Sequence, residues 1–194
     1  ATATVEVSVN APPTADAGTE AAICADNSVT IGGSPTGPSG STFAWSPDTG
    51  LSSATAANPI ASPQANTTYT VLVTDGNGCS MIDSVSISVN PLPTVDAGSD
   101  VSACTGGSVQ LNATGTGSFS WSPPDGLSAT DIADPVASPT VATTYTVTVT
   151  DGNGCSASDD ITVAVAALPT VDAGPDLYLC LGFSVQLQGK CIGA

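Results

Sequence analysis

The sequence predicts an all-β protein made of tandem sandwich repeats, and three observations carry that prediction. Gly, Pro, Ser, Thr, Ala and Val dominate the 194 residues, while Glu, Lys, Arg and Met are nearly absent. Thr and Val suit pleated, half-buried strands, and Gly and Pro punctuate turns. Apolar and polar residues alternate with a period of two, as in Tyr145-Thr146-Val147-Thr148-Val149, which is strand spacing. Finally, the stretch Thr67 to Ser80 returns as Thr143 to Ser156 with one change, Leu72 to Thr148. The chain is an array.

Taken in order, residues 1–10 match the end of a repeat rather than its start. Val5-Glu6-Val7-Ser8-Val9-Asn10 has the pattern of Val85 to Asn90 and of Ile161 to Val165, so it reads as the last strand of a preceding repeat. Repeat one follows over 11–90, repeat two over 91–166, and 167–194 reads as the N-terminal part of a third. Pro13-Thr14-Ala15-Asp16-Ala17-Gly18 recurs as Pro93 to Gly98 and as Pro169 to Gly174. The step from Trp45 to Trp121 equals that from Tyr69 to Tyr145, whereas Pro13 to Pro93 is four residues longer. The extra residues belong in the Gly/Ser/Pro-rich stretch 32–41, a loop. The whole reads as a window on a longer polymer of repeats, or as a processed piece of one.

Alternation places the strands of repeat two near Val101–Cys104, Ser108–Ala113, Gly117–Ser122, Ala133–Ala137, Thr144–Thr150 and Asp160–Ala166. Strands Leu177–Leu181 and Ser184–Gln188 are expected in the third repeat. Six or seven short strands per repeat, with turns between, argue a two-sheet sandwich of immunoglobulin type. Trp45 and Trp121, each mid-strand, are core anchors. Tyr69 and Tyr145 open the penultimate strand, where such a sandwich buries the ring and bonds the hydroxyl to backbone. Asn58-Pro59-Ile60-Ala61-Ser62-Pro63 and Asp134-Pro135-Val136-Ala137-Ser138-Pro139 are edge segments, because proline cannot donate to an interior ladder.

These residues together resemble a known repeat type. Asp-Ala-Gly-x-Asp, Cys-x-Gly-x-Ser-Val-x-Leu, Trp-Ser-Pro with Gly-Leu-Ser, Asn/Asp-Pro-x-Ala-x-Pro, and Thr-Thr-Tyr-Thr-Val-x-Val-Thr-Asp-Gly-Asn-Gly-Cys are similar to the PKD-like/Ig-like repeats of very large secreted Bacteroidetes surface proteins, including gliding-motility-associated adhesins. The resemblance implies tandem immunoglobulin-like (PKD-like) β-sandwiches at the cell surface or outside the cell. Repeat one departs from the pattern at Asp26, where the others carry Gly106 and Gly182. In the third repeat, Lys190-Cys191 has no counterpart. Asp83-Ser84-Val85 resembles the short O-glycosylation motif of related bacteria and marks Ser84 as a candidate modification site.

Charge excludes several functions. Seventeen acidic residues face a single basic one, Lys190, with no Arg and no His, for a net charge of −16. Phosphate neutralisation is out of reach, so nucleic acid is not a partner, and attraction to an anionic membrane surface fails for the same reason. No segment reaches the roughly 18 apolar residues of a membrane span, so membrane insertion is not expected. Ser and Cys nucleophiles lack a base. An enzyme is not expected.

Six cysteines without His point to disulfides in an oxidising compartment rather than to zinc. One early and one late cysteine per repeat suggest Cys24–Cys79 and Cys104–Cys155, contributing roughly 4 kcal/mol each in the chain-entropy model. In an immunoglobulin topology, however, those two positions lie at opposite ends of the domain, and a bond needs Cα atoms within about 7 Å. Pairing across repeats, Cys24 with Cys155, therefore stays open beside the within-repeat expectation. Cys180 is expected to bond outside this sequence, and Cys191 is unassigned. Asp75-Gly76-Asn77-Gly78 reads as a hairpin turn, since a calcium loop would need a Glu at its twelfth position. The calcium candidates are instead Asp96, Asp100, Asp151, Asp172 and Asp176 at the repeat junctions, where carboxylates gather without basic partners. Solvated surface aspartates are the competing reading.

The function expected is structural: an extracellular stalk or filament of disulfide-held repeats, its partners being neighbouring repeats or like chains in a fibre. In one form of fibre, residues 1–10 would complete a sandwich in another chain. The alternative is an adhesin whose loops bind extracellular glycans or surfaces. That reading calls for exposed loop aromatics, and most of the two Trp, three Tyr and three Phe fall on strands.

Overall fold

The computed structural model describes residues 3–182, 184–187 and 190–192. These are all-β, with no helix among them. The chain divides into two compact units, Ala1–Leu92 with Asn153–Cys155, and Pro93–Gly152 with Ser156–Ala194.

The first unit holds β1 (Ala21–Cys24), β2 (Val29–Thr30), β3 (Thr42–Ser46), β4 (Ile60–Ala61), β5 (Thr67–Thr74) and β6 (Ser80–Asn90). β1, β6, β5 and β3 form a four-stranded sheet in that order, and β2 pairs with β4 in a second ladder. The long hairpin β5–β6 is zipped from Thr67 opposite Ile87 to Thr74 opposite Ser80. β1 runs parallel to β6, with Ala21 opposite Ile87 and Cys24 opposite Asn90. Consecutive β1 and β2 lie in different ladders, and the turn between them passes through Asp26 at φ 66°. Alternation along β5 turns Tyr69, Val71 and Val73 inward, where Val85 and Ile87 of β6 meet them. Ala17, Ile31, Trp45 and Ala61 complete that core.

The second unit repeats the plan with β7 (Val95–Asp96), β8 (Val101–Cys104), β9 (Val109–Gln110), β10 (Thr114–Gly115), β11 (Ser118–Ser122), β12 (Val136–Ala137), β13 (Thr143–Thr150) and β14 (Ser156–Ala166). Its sheet order is β11-β13-β14-β8, with β12–β9 and β10–β7 as short ladders. β8 is again parallel to the last strand, Val101 opposite Val163 and Cys104 opposite Ala166. Trp121, Tyr145, Val147, Val149, Ile161, Val163 and Leu111 form the core. Four strands in one layer and short ladders in the other, closed over one core, make an immunoglobulin-like sandwich in each unit.

Several elements differ from their expected spans, for local reasons. β12 begins at Val136 rather than Ala133 because Pro135 has no N–H to donate. β14 begins at Ser156 rather than Asp160 because the hairpin stays zipped up to its turn, Thr150 opposite Ser156. The four extra residues of repeat one split in two. Two precede and two follow Thr36-Gly37, which corresponds to Thr114-Gly115 of β10. The strands expected at Leu177–Leu181 and Ser184–Gln188 are not formed over 177–181 and 184–187, and Gln188 lies outside the described residues. Leu177, Tyr178, Leu179, Leu181, Val185 and Leu187 are exposed there. Alternation alone does not hold a strand: β8 is secured by β14, and no such partner lies beside Leu177 among the described residues. In that region β15 (Thr170–Asp172) instead pairs with β16 (Lys190–Ile192), Val171 opposite Cys191. Residues 3–20 belong to no strand, and Val5, Val7 and Val9 are exposed.

Candidate functional site

Trp45 donates its indole N–H to the Ala56 carbonyl at 2.9 Å, and Trp121 does the same to Ile132 at 2.9 Å. Both rings are buried, so each donor needs that partner. Tyr69 donates its hydroxyl to the Thr49 carbonyl at 3.0 Å, and Tyr145 to that of Asp125 at 2.8 Å. Burial pushes both phenols up from their ordinary pKa, and at Tyr145 the Asp125 carboxylate adds to the effect. An open groove near each hydroxyl, 560 Å³ in the first repeat and 530 Å³ in the second, is lined mainly by Pro, Ser, Thr and Gly, with Gln64 and Ala65 in the first and Asp125 and Val141 in the second, and by no aromatic ring. The large aromatics therefore serve the interior, not the groove.

The aspartates do backbone work. Asp16, Asp96 and Asp172 each accept the N–H two residues on, from Gly18, Gly98 and Gly174, at 2.8–2.9 Å. Asp100 accepts the Thr162 N–H at 2.9 Å. Asp75 accepts from Asn77 and Cys79, both at 2.9 Å, and closes the hairpin turn. Asp151 opens the corresponding turn in the second copy and is itself engaged. Asp176 is exposed. Among the described residues no three carboxylates, thiols or imidazoles converge as a metal would require. The junction aspartates proposed for calcium are thus not brought together. Asp96 and Asp172 share one cause: a carboxylate beside an unpaired turn N–H is satisfied locally, whereas Asp100 reaches a strand N–H, that of Thr162 on β14.

Two further aspartates matter that the sequence reading did not single out. Asp83 accepts the Ala17 N–H at 2.8 Å, and Asp159 accepts the Ala97 N–H at 2.8 Å. Each ties the last strand to the Asp-Ala-Gly turn that begins its own repeat. The N–H groups of Ala97 and Asp160 hold the Asp159 carboxyl below its ordinary pKa. A signal was present: Asp83 and Asp159 alternate in phase with the buried Val85-Ile87 and Ile161-Val163. An inward-phased acid at the same place in both copies asks for a buried donor. The neighbouring Ser84 is exposed on β6, and the second repeat carries Asp160 there.

The cysteines decide the covalent arrangement. Cys24 is bonded to Cys155, with Cα atoms 5.5 Å apart and a sequence separation of 131. Cys79, Cys104 and Cys180 are free thiols. The expected within-repeat pairs Cys24–Cys79 and Cys104–Cys155 are therefore not formed. Parallel pairing puts Cys24 level with Asn90, at the far end of the eleven-residue β6, whereas Cys79 precedes its first residue, Ser80. Ten strand residues span about 33 Å, several times the Cα reach of a disulfide. The same argument separates Cys104, level with Ala166, from Cys155, which precedes Ser156. Cys180 is exposed, and the sulfur of Cys191 lies outside what is described.

No family model matches the chain. No curated protein matches it either. Among solved structures it is similar to the two-domain fragment of DIP-gamma, IG1+IG2, at a TM-score of 0.35 and 10% identity, covering 80% of this chain and 98% of that one. A chimeric titin Z1Z2-Z1Z2 tandem gives a TM-score of 0.34 at 17% identity, over 80% and 100% of the two chains. Extracellular domains 3–5 of Drosophila OTK give 0.38 at 15%, covering 79% of this chain and 60% of that fragment. At these scores the fold assignment rests on the strand order and register above, not on the neighbours. No helix among the described residues is long and apolar enough to cross a membrane.

Proposed function

We propose that this chain is a structural segment of an extracellular stalk or filament, in which tandem immunoglobulin-like repeats are joined covalently as well as through the backbone. The observation that carries the reading is the Cys24–Cys155 disulfide, which bonds the first strand of repeat one to the last hairpin turn of repeat two. A disulfide spanning 131 residues contributes about 5 kcal/mol in the chain-entropy model. It also bars most of both repeats from extending when the chain ends are pulled. A persistent disulfide supports an oxidising, extracellular place, and so does the motif resemblance to repeats of secreted surface proteins. The repeats are laid out at 11–90 and 91–166, with a part of a third over 167–194.

The roles assigned to recurring side chains fit a spacer better than an adhesin or an enzyme. Both Trp, and the Tyr that opens each penultimate strand, lie in the cores. The recurring Asp residues bond backbone, which leaves a glycan-binding or catalytic surface to be supplied by other parts of an assembly. Single-molecule stretching tests the reading. With the disulfide intact, the 131-residue span between its ends stays out of the released contour length, and reduction should add about 450 Å. Equal contour lengths with and without reductant would sink it.

A further inference from the structure

Each repeat carries one cysteine at either end of its main sheet, and the two kinds of position are structurally distinct. The first kind closes the strand parallel to the last one. At Cys24 and at Cys104 the same backbone bonds surround it: Ala25 N–H to the Asn90 carbonyl and Thr105 N–H to that of Ala166, both at 2.8 Å. The turn that follows is also the same, Asn27 N–H to the Cys24 carbonyl at 3.1 Å and Gly107 N–H to that of Cys104 at 2.8 Å. The second kind, Cys79 and Cys155, ends the Asp-Gly-Asn-Gly turn, whose sequence is identical in the two copies. One member of each kind is used, in the Cys24–Cys155 bond. In the two whole repeats the other members, Cys104 and Cys79, are free thiols, the first exposed and the second half-buried. They cannot satisfy each other within one repeat, as Cys104 and Cys79 belong to different ones.

We propose that Cys104 and Cys79 are the open halves of the same linkage, and that they bond across two copies of this chain, Cys104 of one copy to Cys79 of the other. The inference rests on the reading of the repeats as covalently joined units and names what the free ends take as partner: a second repeat of this sequence presenting the complementary cysteine. The chemistry is thiol–disulfide exchange with a low-molecular-weight disulfide such as oxidised glutathione. The Cys104 thiolate attacks it and expels one small thiolate, forming a mixed disulfide. The Cys79 thiolate of the second copy then displaces the other. Two protein thiols are oxidised, the small disulfide is reduced to two thiols, and the two protons given up by the cysteines end on those products.

Two variants of the full chain isolate the pair, both carrying Cys180→Ser and Cys191→Ser. One adds Cys79→Ser, leaving Cys104 open, and the other adds Cys104→Ser, leaving Cys79 open. Each is incubated with oxidised and reduced glutathione, alone and as an equimolar mixture, then alkylated, run without reductant and mapped by proteolysis. The mixture is expected to give a disulfide-linked heterodimer in about tenfold excess over the homodimers of either variant alone, since only complementary ends meet in a bonding geometry. Its linking peptides should be Cys79 with Cys104. Equal yields of Cys104–Cys104, Cys79–Cys79 and mixed dimers would overturn the proposal, as would monomers whose thiols remain open to alkylation. In every sample the Cys24–Cys155 peptide reports that the fold is intact. Its presence without the intermolecular link refutes this inference and leaves the stalk reading standing, whereas its absence refutes both.

Discussion

The two repeats share an interior and differ at their margins. Tyr69, Val71, Val73, Val85 and Ile87 face inward in the first, and Tyr145, Val147, Val149, Ile161 and Val163 in the second. On the outside, Leu72 and Ile82 stand opposite one another and exposed. Their counterparts are Thr148 and Ser158, whose hydroxyls lie 2.8 Å apart. The edge beside the Asp-Ala-Gly turn also differs. The second repeat closes it with a ladder, Thr114 opposite Asp96 and Gly115 opposite Val95. The first bends through its longer loop and keeps one bond of that kind, Asp16 N–H to the Thr36 carbonyl at 3.0 Å. It then anchors the loop with the buried Thr36 hydroxyl, which donates to the Ala57 carbonyl at 2.9 Å. Asn58 adds a bond from its side-chain amide to the Gly33 carbonyl at 3.0 Å. A framework set by inward residues therefore tolerates two solutions at one edge, provided the backbone there finds partners.

That comparison can be broken most forcefully at the shared interior. Trp45→Ala and Trp121→Ala should each cost about 3–5 kcal/mol, and chemical denaturation of the two variants should give similar losses. A loss confined to one of them would mean that the cores are not equivalent. The margins should separate next. Thr36→Val removes a buried donor and should cost about 1–2 kcal/mol, while Thr114→Val, at an exposed position, should stay within about 0.5 kcal/mol. Matching losses would show that the loop plug and the ladder are not distinct devices.

A smaller effect is expected in the turn after the first cysteine. Asp26 has φ 66° where the second repeat has Gly106 at φ 76°. Left-handed backbone suits glycine, so Gly106→Ala should destabilise by about 1 kcal/mol. A built Cβ there meets nothing within 4 Å, so crowding would not contribute. Asp26→Gly should be neutral to slightly stabilising, because the relief of the left-handed turn is offset by the freer unfolded chain. Thermal melts of the two variants check the opposite signs.

The smallest effect depends on pH. The Asp159 carboxyl is held below its usual 3.8 by the Ala97 and Asp160 N–H groups. A depressed pKa contributes stability above the ordinary value and loses it as the pH falls through the lower, folded one. Asp159→Asn should therefore lower the melting temperature at neutral pH and narrow its gap to the parent below the usual 3.8. A gap of constant size from pH 7 to pH 2 would show that the carboxylate charge is not what holds Ala97.

Much of this architecture was legible residue by residue. Alternation along Tyr145 to Val149 gave strand and face together, since a period of two leaves one side for the core. Val101–Cys104 occupies the span read for it. The edge segments were marked by prolines, which cannot take part in an interior ladder. The Asp83 and Asp159 bonds were only half legible: the phase of each acid was visible, but the turn it serves lies 66 or 62 residues away. Leu177 to Leu181 places Leu at every second position, yet no strand forms there, because pairing is a property of two segments.

By itself, then, the sequence determined a repeated all-β sandwich with its Trp and Tyr in the core, through local periodicity and the sheer identity of the copies. The tertiary structure decided the cysteines. Spacing along the chain favoured Cys24 with Cys79 over Cys24 with Cys155, and the bond formed is the second. Only the parallel register of β1 on β6, with Cys24 beside Asn90, puts the length of a whole strand between Cys24 and its nearer candidate. A disulfide forms between side chains that the fold brings within reach, and sequence distance does not measure that.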